Sequence, residues 1–87
     1  GDVMAAPLSD CVSAAVADRV KQLRDEREWT NNRLATEAGV SPNTIHAIVH
    51  EQRETIEINT IAMICEACTI TLEEFFSVGF SDIPIQE

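Results

Sequence analysis

In a short central segment of the sequence, the stop signal of one helix lies almost next to the start signal of another, which restricts the possible folds. Thr30 is a favourable N-cap for a helix over 31–38, and Gly39 suits the left-handed turn that ends a helix because it lacks a Cβ. Ser41 and Pro42 then favour a new helix, since the hydroxyl caps free N–H groups and proline at the first helical position loses no hydrogen bond.

The two predicted helices, 31–38 and 42–50, carry apolar residues on one face each. The small Ala35 allows the helices to cross closely. The positions expected to be buried in this unit are Leu34, Ala35, Ala38, Val40, Ile45, Ile48 and, with less support from the spacing, Val49. Two short helices joined by a three-residue turn that contains glycine are typical of a helix-turn-helix.

The flanking segments predict three further helices. Helix one is expected to be capped by Ser9, to run from Asp10 to about Glu28, and to carry its charges on the outer face. Helix four is expected over 58–68, and a short helix five follows Thr71, which can form a capping box with Glu74. The residues expected to be buried are Val12, Val16, Val20 and Leu23 in helix one, Ile58, Ile61, Ile64, Cys65 and Cys68 in helix four, and Phe75 and Phe76 in helix five. The fold class predicted is all-α.

The length of 87 residues fits one domain, expected over 10–77, with an N-terminal extension (1–9) and a C-terminal tail (78–87). We expect Gly1–Val3, which precede Met4, to be left over from cloning. So small a core leaves little room for an enclosed active site, and no catalytic triad or glycine-rich phosphate loop can be assembled, so no enzymatic activity is expected. With no apolar run of membrane-spanning length and no secretory signal, we expect a cytoplasmic protein with no membrane partner.

Several segments resemble, in order, the phage-repressor class (Cro/repressor, xenobiotic-response-element type) of helix-turn-helix transcriptional regulators. The segments are 19–27 (RVKQLRDER), Leu34-Ala35, Gly39-Val40-Ser41, Thr44-Ile45, 60–65 and 70–76 (ITLEEFF), and the likeness covers about two-thirds of the chain. This resemblance implies a compact five-helix, lambda-repressor-like domain. It also implies sequence-specific binding of duplex DNA, regulation of transcription by repression, and action as a homodimer.

The resemblance further implies which residues contact DNA. Base contacts map to Asn43, His46, Ala47 and Pro42, and Asn43 stands out because an amide can donate to and accept from adenine at once. Contacts to the phosphate backbone map to Thr30, Asn31, Asn32, Ser41, Thr44, His50 and Arg53. One departure from the family is Val49, which stands where many members have a glutamate paired with an arginine of helix one, so Arg24 is expected to be exposed.

The net charge of −9 argues against a strongly basic DNA-binding surface. It divides into −2 for residues 1–17, 0 for 18–53 and −7 for 54–87, so the predicted DNA-facing segment is neutral. An alternative function is therefore a protein-interaction module that keeps this fold without binding DNA.

Three smaller features allow more than one interpretation. Cys65 and Cys68 have the spacing of half a zinc site, completed by two of Cys11, His46 and His50, but their helical positions favour burial as free thiols, so no metal or cofactor is expected. His46 and His50, four residues apart on helix three, could form a solvated helix face instead of contacting DNA. The C-terminal tail contains three apolar residues, Phe80, Ile83 and Ile85. We expect them to pack on their own domain or across a homodimer. No small-molecule ligand is indicated.

Overall fold

The computed structural model describes residues 8–52, 55–81 and 83, and all regular secondary structure in these ranges is α-helical. The five helices are α1 (Leu8–Glu26), α2 (Asn31–Ala38), α3 (Pro42–Val49), α4 (Ile58–Cys68) and α5 (Leu72–Phe76). The predicted all-α fold of five helices is confirmed. None of the helices in the described part of the chain has the length and apolar character needed to cross a bilayer.

One core joins the five helices, because α2 packs on both α3 and α4, α1 packs on α3, and α5 packs on α4. Its buried apolar side chains are Val16, Val20, Leu23, Leu34, Ala35, Ala38, Ile45, Ile48, Val49, Ile61, Ile64, Cys65, Cys68 and Phe75. Most of these were expected from the helical spacing of apolar residues. Val40 is half-buried and packs against this cluster.

Three residues that were expected to be buried are instead exposed. Val12 is 38% exposed, Ile58 56% and Phe76 38%. Val12 and Ile58 lie on the predicted stripes, but near the first turns of α1 and α4, before the buried part of each helix begins at Val16 and Ile61. Periodicity identifies which face of a helix is apolar, but it does not show how far along the helix its neighbours extend.

Four of the helices end in the same backbone motif, in which a residue with positive φ follows the last turn. Its N–H donates to the carbonyl three residues back, and the next N–H donates to the carbonyl five residues back. The four residues with positive φ are Glu28 (56°), Gly39 (75°), Glu51 (55°) and Thr69 (60°). Only one of the four is a glycine, so the residues that end α1 and α3 are not recognisable from their type. The predicted ends of these two helices, Glu28 and His50, are therefore too late. The predicted cap at Ser9 is also wrong, since α1 already includes that residue.

Two arginines that were expected on the outer face of helix one instead point towards backbone carbonyls: Arg19 within α1, and Arg27, which directly follows its last residue. Arg19 is only 9% exposed, and its guanidinium donates to the carbonyl oxygens of Phe75 (2.8 Å) and Glu74 (3.0 Å). Arg27 donates from Nη2 to the carbonyl oxygen of Cys68 at 2.6 Å. The last carbonyls of a helix lack intrahelical partners and carry partial negative charge, so these two cations stabilise the C-terminal ends of α5 and α4.

Candidate nucleic-acid interface

Capping hydrogen bonds define the start of both helices of the α2–α3 unit. Thr30 Oγ1 accepts from the N–H of Arg33 at 3.0 Å, and Ser41 Oγ accepts from the N–H of Thr44 at 3.2 Å. The hydroxyls of Ser41 and Thr44 are also hydrogen-bonded to each other at 2.9 Å. Both predicted N-caps are confirmed, and they hold α2 and α3 in the register that the sequence predicted.

The outer face of α3 carries all four residues predicted to contact bases. Pro42, Asn43 and His46 are exposed and Ala47 is half-buried, whereas the opposite face buries Ile45, Ile48 and Val49. Residues three and four apart lie side by side on a helix, so the four form one continuous strip. The amide of Asn43 has no hydrogen-bond partner among the described residues, so its donor and acceptor groups face solvent.

The start of α2 contacts this strip through a side-chain hydrogen bond. Asn31 Nδ2 lies 3.3 Å from His46 Nδ1, and Asn31 Oδ1 accepts from Arg24 Nη1 at 2.7 Å. The expectation that Arg24 is exposed is therefore wrong: its side chain is 21% exposed and also pairs with Asp25 at 2.9 Å. Asn31 is thus the hydrogen-bond partner of Arg24 in this chain. The resemblance assigned that role to a glutamate at the position where this sequence has Val49.

The spacing of residues did not predict this series of contacts from Arg24 through Asn31 to His46. The three residues lie on α1, α2 and α3, so no spacing within one helix relates them. Their proximity depends on how the three helices cross. The available signal was Val49, which left Arg24 without the glutamate partner that the resemblance implies.

Six of the residues predicted to contact phosphates lie at the start of α2 and on or next to α3. Thr30, Asn32, Ser41 and His50 are exposed, and Asn31 and Thr44 are half-buried. The rings of His46 and His50 meet edge to face, with centroids 4.7 Å apart. Arg53 lies outside the described residues. These assignments to bases and phosphates stay predictions.

The α2–α3 unit has no net fixed charge. Between residues 30 and 50 the fixed charges are Arg33 and Glu37, which form an ion pair with Nε and Oε2 2.7 Å apart. The guanidinium of Arg33 also lies 5.6 Å from the ring centre of Trp29. Any DNA contact by this unit therefore depends mainly on neutral hydrogen-bonding groups and on helix N-termini.

Cys65 and Cys68 lie in the core, as predicted from their helical positions. Burial is the main cause that raises the pKa of both thiols, and for Cys65 the neighbouring Cys68 raises the pKa further. Both groups therefore remain neutral thiols that pack as small apolar side chains. Within the described residues, no cluster of three or more side chains is arranged to hold a metal ion.

A family model, described as the Cro/C1-type HTH DNA-binding domain, matches residues 19–80 of this sequence. The chain belongs to the Cro/C1-type helix-turn-helix family. Comparisons with curated proteins and with solved structures gave no significant match. The predicted family is thus confirmed, and the Cro/C1-type domain of this chain is a DNA-binding domain of transcription regulators, a family that is typically not enzymatic.

Proposed function

We propose that this protein binds duplex DNA at specific sequences by inserting α3 into the major groove, and that it represses transcription from the sites it occupies. The observation that carries the proposal is the outer strip of α3, where the unpartnered amide of Asn43 stands beside His46 and Ala47. A major groove admits one helix, and base edges there present a distinct pattern of donors and acceptors. Repression is the simplest outcome, because occupying a site excludes other proteins from it.

Each residue of the strip offers a different contact to a base edge. Asn43 can make two hydrogen bonds to adenine at once, with its NH₂ donating to N7 and its oxygen accepting from N6–H. This requires one orientation of the amide, which the free side chain can adopt by rotation. His46 offers a ring nitrogen, Ala47 a methyl group for contact with a thymine methyl, and Pro42 an apolar surface.

Phosphate contacts are proposed for the helix starts and for the far end of α3. Thr30 Oγ1 accepts the capping bond, which leaves its hydroxyl proton for a phosphate oxygen. Because the side chain of Asn31 is engaged, its contact is proposed through the backbone N–H at the start of α2. The other proposed phosphate contacts are Asn32, Ser41, Thr44, His50 and Arg53.

We propose that the DNA-bound form is a homodimer, because two copies of α3 read twice the sequence that one can. The surface proposed for the contact between the two copies includes the C-terminal aromatic cluster. Phe80 packs within its own chain against Phe75 and Phe76, with ring centroids 6.0 and 4.9 Å apart, and Phe76 remains 38% exposed beside it. The proposed contact surface is completed by Ile83 and by Ile85, which lies outside the described residues. Paired half-sites in the bound DNA would report the dimer.

The second candidate, a protein-interaction module without DNA binding, is favoured by one observation. The α2–α3 unit has no net fixed charge and the chain has a net charge of −9, whereas non-specific DNA affinity comes almost entirely from cations that neutralise phosphates. The two candidates predict opposite results in a direct DNA-binding measurement.

The test is selection of bound sequences from a random duplex pool, followed by affinity measurements with Asn43→Ala. On the selected site we expect Asn43→Ala to cost about 1 to 3 kcal/mol, with little loss on random DNA. Asn32→Ala removes the same amide from a proposed phosphate contact, so it should weaken binding to both DNAs alike. Equal losses for Asn43→Ala on both DNAs would exclude it as a base contact. No retention of the wild-type chain on any DNA at about 50 mM salt would favour the interaction module.

A further inference from the structure

The contacts of Asn31 fix which of its amide atoms faces which neighbour. Arg24 Nη1 lies 2.7 Å from Asn31 Oδ1, and a guanidinium can only donate hydrogen bonds. Rotating the amide by 180° would bring its NH₂ group against this donor, so the oxygen must face Arg24. The NH₂ group therefore faces His46, and it too can only donate.

This orientation in turn determines which ring nitrogen of His46 carries the proton. His46 Nδ1 lies 3.3 Å from Asn31 Nδ2, and it can accept from the amide only when it is unprotonated. In a neutral imidazole the proton then resides on Nε2, across the ring. The His50 ring packs edge to face against His46 at 4.7 Å and further restricts its rotation.

We propose that Asn31, held by Arg24, is a positioning residue that selects the Nε2–H tautomer of His46, so that His46 donates to guanine in the major groove. The inference rests on the proposed function, because it requires α3 to lie in that groove. In this arrangement His46 acts only as a donor. Asn31 contributes to base specificity although it touches no base.

Guanine is the partner that best fits a single fixed donor. It presents two adjacent acceptors, N7 and O6, on its major-groove edge, whereas cytosine presents a donor there and would oppose Nε2–H. Adenine and thymine each present one acceptor and are expected to be intermediate. One such hydrogen bond, at about 1 kcal/mol, corresponds to a preference of about fivefold for guanine over cytosine.

The tautomer can be measured without DNA, from the ¹⁵N chemical shifts of the His46 ring. For the wild type we expect an unprotonated Nδ1 and a protonated Nε2. Asn31→Asp replaces the donor with an acceptor, so Nδ1 should become protonated; the variant should fold, because an acid in the first turn of α2 is favourable. Asn32→Ala, the matched control on the next residue, should leave the His46 shifts unchanged. A protonated Nδ1 in the neutral wild-type ring, or shifts that Asn31→Asp does not alter, would overturn the proposal.

The consequence for specificity is measured by selection from a random duplex pool. The wild type should enrich guanine at one position, and His46→Ala should reduce that preference towards parity. Asn31→Asp should do the same at alkaline pH, where the ring is neutral, because a doubly protonated ring would still donate from Nε2. The acid of Asn31→Asp also repels phosphates, but base preference is a ratio of affinities and cancels this effect. Enrichment of the same base by all three proteins would overturn this inference alone, as would an equal loss by His46→Ala on every sequence. If the wild type enriches no sequence, the proposed function itself fails.

Discussion

Three arginines, two in α1 and one directly after it, make contacts that depend on the planar, multi-donor guanidinium. Arg19 and Arg27 donate to helix-ending carbonyls and Arg24 orients Asn31, so each is committed within the protein. Lys21, on the same helix, has no partner among the described residues. Because these hydrogen bonds hold the three guanidiniums against their own chain, their donors are engaged within the protein.

Arg19→Met is expected to lower the free energy of unfolding by about 1.5 to 3 kcal/mol, as for hydrogen bonds that involve a charged group. Methionine fills much of the same space but leaves the carbonyl oxygens of Phe75 and Glu74 without their donor. Urea denaturation measures the change. Lys21→Met, the same substitution two residues along, should change stability by less than about 0.5 kcal/mol. Equal losses for the two variants would mean that the carbonyl contacts of Arg19 contribute nothing specific.

At the scale of elements, the recurring left-handed helix end determines where α1 to α4 stop. Gly39 adopts this conformation without a steric penalty, whereas Thr69, a β-branched residue with φ 60°, adopts it at a cost. A Cβ on Gly39 would lie 3.7 Å from Met63 Cε, which is an ordinary contact. The difference between the two positions therefore arises from backbone conformation rather than from packing.

Substitutions at these two helix ends should therefore change stability in opposite directions. Gly39→Ala is expected to lower the free energy of unfolding by about 1 to 2 kcal/mol, and Gly39→Asn by less, because asparagine tolerates positive φ. Thr69→Gly should raise it by about 0.5 to 1 kcal/mol, since strain at the end of α4 is relieved. Thermal and urea unfolding of the three variants tests this. A destabilised Thr69→Gly would show that contacts of the threonine side chain outweigh its backbone strain.

The bounds of α2 and α4 could be predicted because local chemistry marks them: Thr30 and Gly39 bracket α2, and the apolar repeat defines α4. The late ends assigned to α1 and α3 could not be corrected from sequence, since Glu28 is not a residue type that usually takes positive φ. For the candidate site, the apolar spacing predicted which face of α3 is buried, and the family resemblance predicted the residues of the exposed strip. The Asn31–His46 contact requires the crossing of two helices, which spacing does not determine.

For the whole molecule, the decisive property is where its charge lies relative to the DNA-facing unit. Seven of the acids lie in residues 54–87, which contain no lysine or arginine, and α5 within this stretch packs on α4. Glu51 is different, because it directly follows His50 at the end of α3. At physiological salt a charge acts over about 8 Å, so Glu51 should oppose phosphates whereas the acids of α5 should not.

Glu51→Lys is accordingly expected to tighten binding to random DNA and to make the salt dependence steeper by about one phosphate contact, a slope change of about −0.9. Glu73→Lys makes the same change of charge on α5, which carries none of the proposed DNA contacts, so its effect on DNA binding should be small. Both slopes come from affinities measured across a salt series. If Glu73→Lys increases affinity as much as Glu51→Lys, net charge rather than position governs binding. If neither variant changes the slope, the C-terminal end of α3 does not approach the phosphates, and the proposed insertion of α3 is wrong.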